Sequence, residues 1–263
     1  MRAIIASGNT RGHRVDIPFT AEQFFDVFRQ YNESVWPAQW LLAAMAVVAV
    51  IAAGRARAHS GQITSGVLAM LWLWNGTVYH LAFFTAINRA AVVFGALFVA
   101  QSMLFIWLGV RRRQLKFRAR MDSAGIIGAL LIVYALAIYP LLGDSLGHRY
   151  PEAPTFGVPC PTTIFTFGLL LWCDPPVPRR LVVIPALWAV VGTIAALQLG
   201  VPEDFGLSVA ALIVTSLVLW RRAHEATSSG VLSWILDRWR GATLGEYRAT
   251  EQLRVHGDNH RAQ

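Results

Sequence analysis

Cys160 stands between Pro159 and Pro161, followed at once by Thr162 and Thr163, with His148 and Tyr150 a short way upstream. Proline is excluded from the interior of a regular helix but favoured in its first turn, so a helix can begin at about Pro161. Cys160 then falls at or beside the N-cap, where unpaired backbone N–H groups and the helix dipole favour a thiolate. Two chemistries follow: a thiolate that ligates a soft metal, or a helix start that receives an anion. The plain alternative is a small buried filler in a proline-shaped turn, since free cysteine commonly packs as a small hydrophobe.

A second polar set lies in the stretch NGTVYHLAFFTAIN. Asn75 and Tyr79 are four residues apart and share a helix face, His80 follows, and Asn88 closes the end. Histidine in an apolar segment usually faces the interior of a bundle and marks a site; its alternative role is a helix–helix hydrogen bond. The candidate ligand-binding residues are therefore Asn75, Tyr79, His80, Asn88, Tyr139, His148, Tyr150, Cys160, Thr162 and Thr163. His80, His148 and Cys160 form the candidate metal set, whose nitrogen and sulfur donors suit a soft or borderline metal ion. No zinc-helix, phosphate-loop, dinucleotide or nucleophile-elbow motif accompanies them.

The elements that must hold these groups are apolar. Of 263 residues, 55% are hydrophobic and 14% charged, against about 25% charged in soluble domains. Seven apolar segments, at about 37–53, 63–87, 91–110, 124–142, 156–172, 181–199 and 205–220, can be judged against the roughly 17–25 residues of a spanning helix. No acidic residue falls inside any of them. The reading is an all-α, polytopic transmembrane helix bundle of about seven spans. Arg55 and Arg57, the run 111–120, Arg179 and Arg180, and Arg221 and Arg222 occupy alternate loops. The intervening loops hold Arg89, then Asp144, Arg149 and Glu152, then Glu203 and Asp204. Basic loops stay in the cytoplasm, which sets the N-terminus outside and the C-terminus inside. The same topogenic role accounts for the run 111–120 without nucleic acid.

The fifth segment is the exception in length. A helix from Pro161 to about Trp172 rises roughly 18 Å at about 1.5 Å per residue, against a hydrocarbon core of about 30 Å. The preceding Pro-rich stretch must therefore enter the membrane as a re-entrant, non-helical segment, which is tolerated only when buried in protein or lining a cavity. Cys173 belongs to the turn beyond and reads as structural. On one helix it would stand roughly 20 Å from Cys160, outside disulfide reach.

Outside the bundle, residues 1–17 read as a disordered extension and 18–36 as an interfacial amphipathic helix. Thr20 and Gln23 have capping-box spacing there, and Phe24, Phe28, Tyr31 and Val35 recur at helical intervals. That apolar stripe fits either lipid or the bundle. The domain 37–220 carries the spans. Residues 221–263 form a tail with a short interfacial helix at GVLSWILDRWRG.

Three blocks, PFTAEQFFDVFRQYNESVWPAQ, NGTVYHLAFFTAIN and GHRYPEAPTFGVPCPTTIFTFGLLL, resemble DUF6064, a bacterial family of membrane proteins of unknown function. The likeness covers about residues 18–220; Arg89 departs from it, standing where a proline is expected. The resemblance implies a multi-span fold and transfers no activity. The expectation is a multi-pass protein of the bacterial cytoplasmic (inner) membrane, partnered by the lipid bilayer and not by nucleic acid. Its outward pocket would bind or pass a small solute or metal ion. The alternatives are a membrane enzyme using Cys160 with a histidine, and a sensory or scaffold protein.

Overall fold

The computed structural model describes residues 18–174 and 177–219. Two compact units divide the chain, Met1–Thr215 and Ser216–Gln263, and the bundle core and the site lie in the first. The expected N-terminal extension 1–17 and the tail helix in 221–263 lie outside the described residues.

The described chain is all-helical. Eight helices follow one another: α1 Ala21–Ser34, α2 Ala38–Arg55, α3 Ser60–Ala86, α4 Ala91–Arg111, α5 Ser123–Ser145, α6 Pro159–Leu171, α7 Arg180–Leu199 and α8 Pro202–Leu219. Six of them, α2 to α5, α7 and α8, are long and apolar enough to cross a membrane. Their outward surfaces carry large apolar side chains such as Leu41, Val93, Met103, Leu141, Val190 and Leu212. Water would not tolerate so continuous an apolar exterior, and lipid requires it.

The short fifth apolar helix is α6, with 13 residues. It starts at Pro159, two residues before the expected Pro161. The first turn of a helix has no intrahelical use for its N–H groups, so both Pro159 and Pro161 fit there, and Cys160 becomes a first-turn residue instead of the cap. Every residue from Pro161 to Leu171 is buried. The stretch 156–158 ahead of it is also buried and non-helical, as the length argument required.

Helix α6 can be enclosed because the backbones around it come close. A Cβ on Gly128 would lie 2.7 Å from the Gly168 carbonyl oxygen, and one on Gly168 2.8 Å from that of Gly128. Gly76 of α3 and Gly95 of α4 repeat the arrangement at 2.9 Å in both directions. Small residues at such crossings replace side-chain interdigitation with direct backbone contact.

Helix α1 settles where its apolar stripe goes. Thr20 and Gln23 form the expected capping box, with hydrogen bonds of 2.9 and 3.2 Å. Phe24, Phe28 and Tyr31 then pack on the bundle, the ring centroids of Phe28 and Tyr31 lying 5.8 and 5.6 Å from that of Tyr79 in α3.

Three spans depart from α-geometry: α3 is a π-helix over Asn75–Phe83, α4 over Ile106–Arg111 and α5 over Tyr134–Ile138. Such wider turns frequently accompany functional sites, because they re-aim the side chains they carry. Those in α3 and α5 carry or directly precede Asn75, Tyr79, His80 and Tyr139.

Candidate functional site

The start of α8 was expected at about residue 205, leaving Glu203 and Asp204 in a loop. The helix instead begins with a 3₁₀ turn at Pro202–Asp204, and both acids are buried, Glu203 completely and Asp204 with 4% exposed. The span therefore contains two carboxylates where none was expected. A Pro at the first helical position followed by two acids is itself a helix-start signal, because proline suits that position and acids complement the dipole.

Each acid has one strong side-chain partner. Tyr139, at the end of the π-turn of α5, donates its hydroxyl to Asp204 Oδ1 at 2.6 Å. His148, in the loop after α5, meets Glu203 Oε1 through Nδ1 at 2.7 Å. Tyr134 donates to the Glu203 backbone carbonyl at 2.7 Å, which fixes the turn. Glu203 Oε2 is buried with no hydrogen-bond partner among the described residues. Among the described residues no Arg or Lys pairs with either acid.

Cys160 reaches the same cluster from the first turn of α6. Its thiol lies beside the Asp204 carboxylate and the Trp188 indole. A Cβ on Gly192 of α7 would stand 3.5 Å from its sulfur. Tyr79 is within electrostatic range of both Cys160 and Asp204. Neither histidine hydrogen-bonds the thiol: His148 is engaged with Glu203, and His80 has no hydrogen bond on either ring nitrogen among the described residues.

His80 is fully buried inside an aromatic cage, its ring 4.7 Å from Phe98, 5.0 Å from Trp188 and 5.3 Å from Tyr79. Among the described residues no three His, Cys, Asp or Glu side chains are placed to hold a metal ion. The set His80, His148 and Cys160 is accordingly not gathered into a ligand sphere.

The remaining sequence candidates are distributed as follows. Asn75 donates to the Leu71 carbonyl at 2.8 Å and to Thr162 Oγ1 at 3.4 Å, so the polar set of α3 does face α6. Its Oδ1 is buried and unpartnered among the described residues. Thr163 bonds back to the Pro159 carbonyl and closes the first turn of α6. Asn88 accepts from the Ala90 amide at 3.0 Å and shapes the turn into α4. Tyr150 is half-exposed, and its hydroxyl donates to the Asn32 carbonyl at 3.4 Å.

Asn32, outside the sequence candidates, is a clamp on the site's loop. It is completely buried on α1 and holds the loop before α6. Its Nδ2 donates to the carbonyls of Pro151 and Ala153 at 2.6 and 2.8 Å, and its Oδ1 accepts from Thr155 Oγ1 at 2.8 Å. A polar residue on the otherwise apolar stripe of an amphipathic helix was the available signal.

A cavity of about 200 Å³ is lined by Tyr139, Pro140, Gly143, Asp144, His148, Tyr150 and residues 153–155, and not by the two acids themselves. A larger apolar recess of about 540 Å³ adjoins it, sharing Pro140, Tyr150 and Thr155 and adding Trp36, Gln39 and Trp40. Tyr139 and His148 thus line the cavity and each hydrogen-bonds one of the two acids behind it.

The model of DUF6064, described as a family of unknown function, matches residues 21–229. The chain belongs to this family. The DUF6064 match takes in the clamp at Asn32, the polar face of α3, the half-length α6 and the acids of α8. No curated protein and no solved structure matches the chain. The family description carries no activity, and the membrane-crossing helices are this chain's own, so the site's chemistry must be read from its own groups.

Proposed function

We propose that this DUF6064 protein is a bacterial cytoplasmic-membrane protein that binds, and passes, a small cationic solute or a proton exchanged for it through an outward-facing pocket. The alternation of basic and non-basic loops supports that orientation, with the carboxylate end outside.

The observation that carries the reading is the charge balance behind the cavity. Two adjacent carboxylates, Glu203 and Asp204, are buried with one imidazole as their only side-chain ionic partner among the described residues. Even with His148 protonated, one negative charge is left over when both acids are ionised. An uncompensated charge in a low-dielectric interior costs several kcal/mol, so a proton or a small cation must neutralise it. Ionisable residues within membrane spans mark ion and substrate paths for this reason. Tyr139 and His148 are positioning groups in this reading. Each contacts the cavity on one side and an acid on the other, and each can hand a proton across.

The metal-ion version of the reading has less support, because the candidate donors are not grouped. The test is thermal stabilisation of the detergent-purified chain by methylammonium, tetramethylammonium or acetate. Stabilisation by the cations but not by acetate, lost in both Glu203→Gln and Asp204→Asn, is expected. Stabilisation by acetate, or a cation effect equal in wild type and variants, would remove the proposal.

A further inference from the structure

The arginine-rich end of the bundle is shaped as well as charged. Helix α2 ends at Arg55 and α3 begins at Ser60, while the loop after α4 folds back over the start of α3. Gly61 permits the contact, since a Cβ there would lie 2.2 Å from the Leu115 carbonyl oxygen. Leu115 and Phe117 turn inward and are buried, so the alternate residues Lys116 and Arg118 turn outward. The loop is pinned by two backbone hydrogen bonds of 2.8 Å, from Arg118 N–H to the Trp172 carbonyl and from Asp174 N–H to the Lys116 carbonyl.

The result is a recess of about 760 Å³ whose charged lining is Arg55, Arg57, Arg113, Lys116 and Arg118 against the single carboxylate of Asp174. Among the described residues none of these five cations is in an ion pair, and Asp174 is 3.9 Å from Arg120 instead. A purely topogenic loop needs positive charge but no cavity to hold it. An apolar groove of about 490 Å³ joins the recess, sharing Arg55, Arg57 and Ser60, and runs along the outward faces of α2 and α3 over Val48, Ile51 and Ile63. Those three side chains are exposed on helices long enough to span a membrane, so the groove lies on the lipid side and the recess at the span ends.

We propose that recess and groove form one binding site for an anionic phospholipid, the phosphate headgroup among the five cations and an acyl chain against Val48, Ile51 and Ile63. Charge complementarity fixes the sign of the headgroup. The groove that opens from the recess selects a lipid over a free phosphate.

The experiment is native mass spectrometry of the full-length chain in detergent with phosphatidylglycerol, phosphatidylcholine or inorganic phosphate. Retention of phosphatidylglycerol about tenfold above phosphatidylcholine is expected, lost in Arg57→Gln/Arg118→Gln and kept in Arg57→Lys/Arg118→Lys. Ile63→Trp, which fills the groove, should lower lipid retention without moving the melting temperature. Equal retention of the two lipids, or undiminished phosphatidylglycerol in the glutamine variant, overturns the site. Inorganic phosphate that displaces the lipid fully, with Ile63→Trp without effect, shows a free-phosphate site and overturns the lipid assignment.

Discussion

The Tyr139 hydroxyl and the Asp204 carboxylate are 2.6 Å apart, both buried, and they join the π-turn of α5 to the first turn of α8. The bond brings a cavity-lining group into contact with an acid that is itself buried and outside the cavity lining. A hydrogen bond to a charged group contributes about 1.5–3 kcal/mol. Tyr139→Phe should therefore lower stability in denaturant titrations by about that amount, and the double variant Tyr139→Phe/Asp204→Asn should recover part of it. A Tyr139→Phe variant as stable as wild type would mean that Asp204 does not depend on this donor.

Asn32 gives a prediction about the loop that introduces α6. Its amide donates to two carbonyls and accepts from Thr155, and a carboxylate could keep the accepting role but neither donation. Asn32→Asp should open residues 150–155 as much as Asn32→Ala does, measured as about a tenfold or greater rise in hydrogen exchange for that loop, with α6 unchanged. Protection retained in Asn32→Asp would show that packing, not the amide, holds the loop.

Cys173 is a buried thiol in the turn after α6, and burial pushes its pKa from 9.0 up to about 12. The folded state then holds a proton that the unfolded state has released. Its contribution to stability is complete below about pH 9 and is lost as pH rises towards about 12. At pH 8 the thiolate fraction is about a thousandfold below that of the unfolded chain, so iodoacetamide should label Cys173 only after denaturation. Rapid labelling of the native protein at pH 8 would contradict its placement.

The fold was legible because hydrophobic runs, loop charges and prolines are local signals. The short α6 followed from Pro159, Pro161 and the length of the apolar run, and its contact with the α3 polar set is realised in Asn75 and Thr162. Its exact start was missed because two prolines fit one helical turn. The acids were missed for a different reason. Glu203 and Asp204 sit between Gly200 and an apolar run, so hydropathy assigns them to a loop. Only the tertiary positions of Tyr139, His148 and Cys160 make a buried site of them. Long-range clamps such as Asn32 on the loop 151–155 leave only a polar residue on an apolar stripe, which does not name the carbonyls it holds. The π-turns of α4 and α5 show no break in hydropathy that would announce them, while that of α3 coincides with the polar residues Asn75 to His80.

The central claim is that the Glu203–Asp204 pair is a cation or proton site behind the cavity. It is tested most directly by equilibrium binding of radiolabelled tetramethylammonium to the detergent-purified chain across pH, comparing wild type with Glu203→Gln/Asp204→Asn. Saturable binding by wild type that weakens as pH falls, because protons compete for the same carboxylates, and its loss in the double variant, is the predicted result. Binding of the same affinity and pH dependence in both proteins, or no saturable binding by the wild type at any pH, would contradict the account.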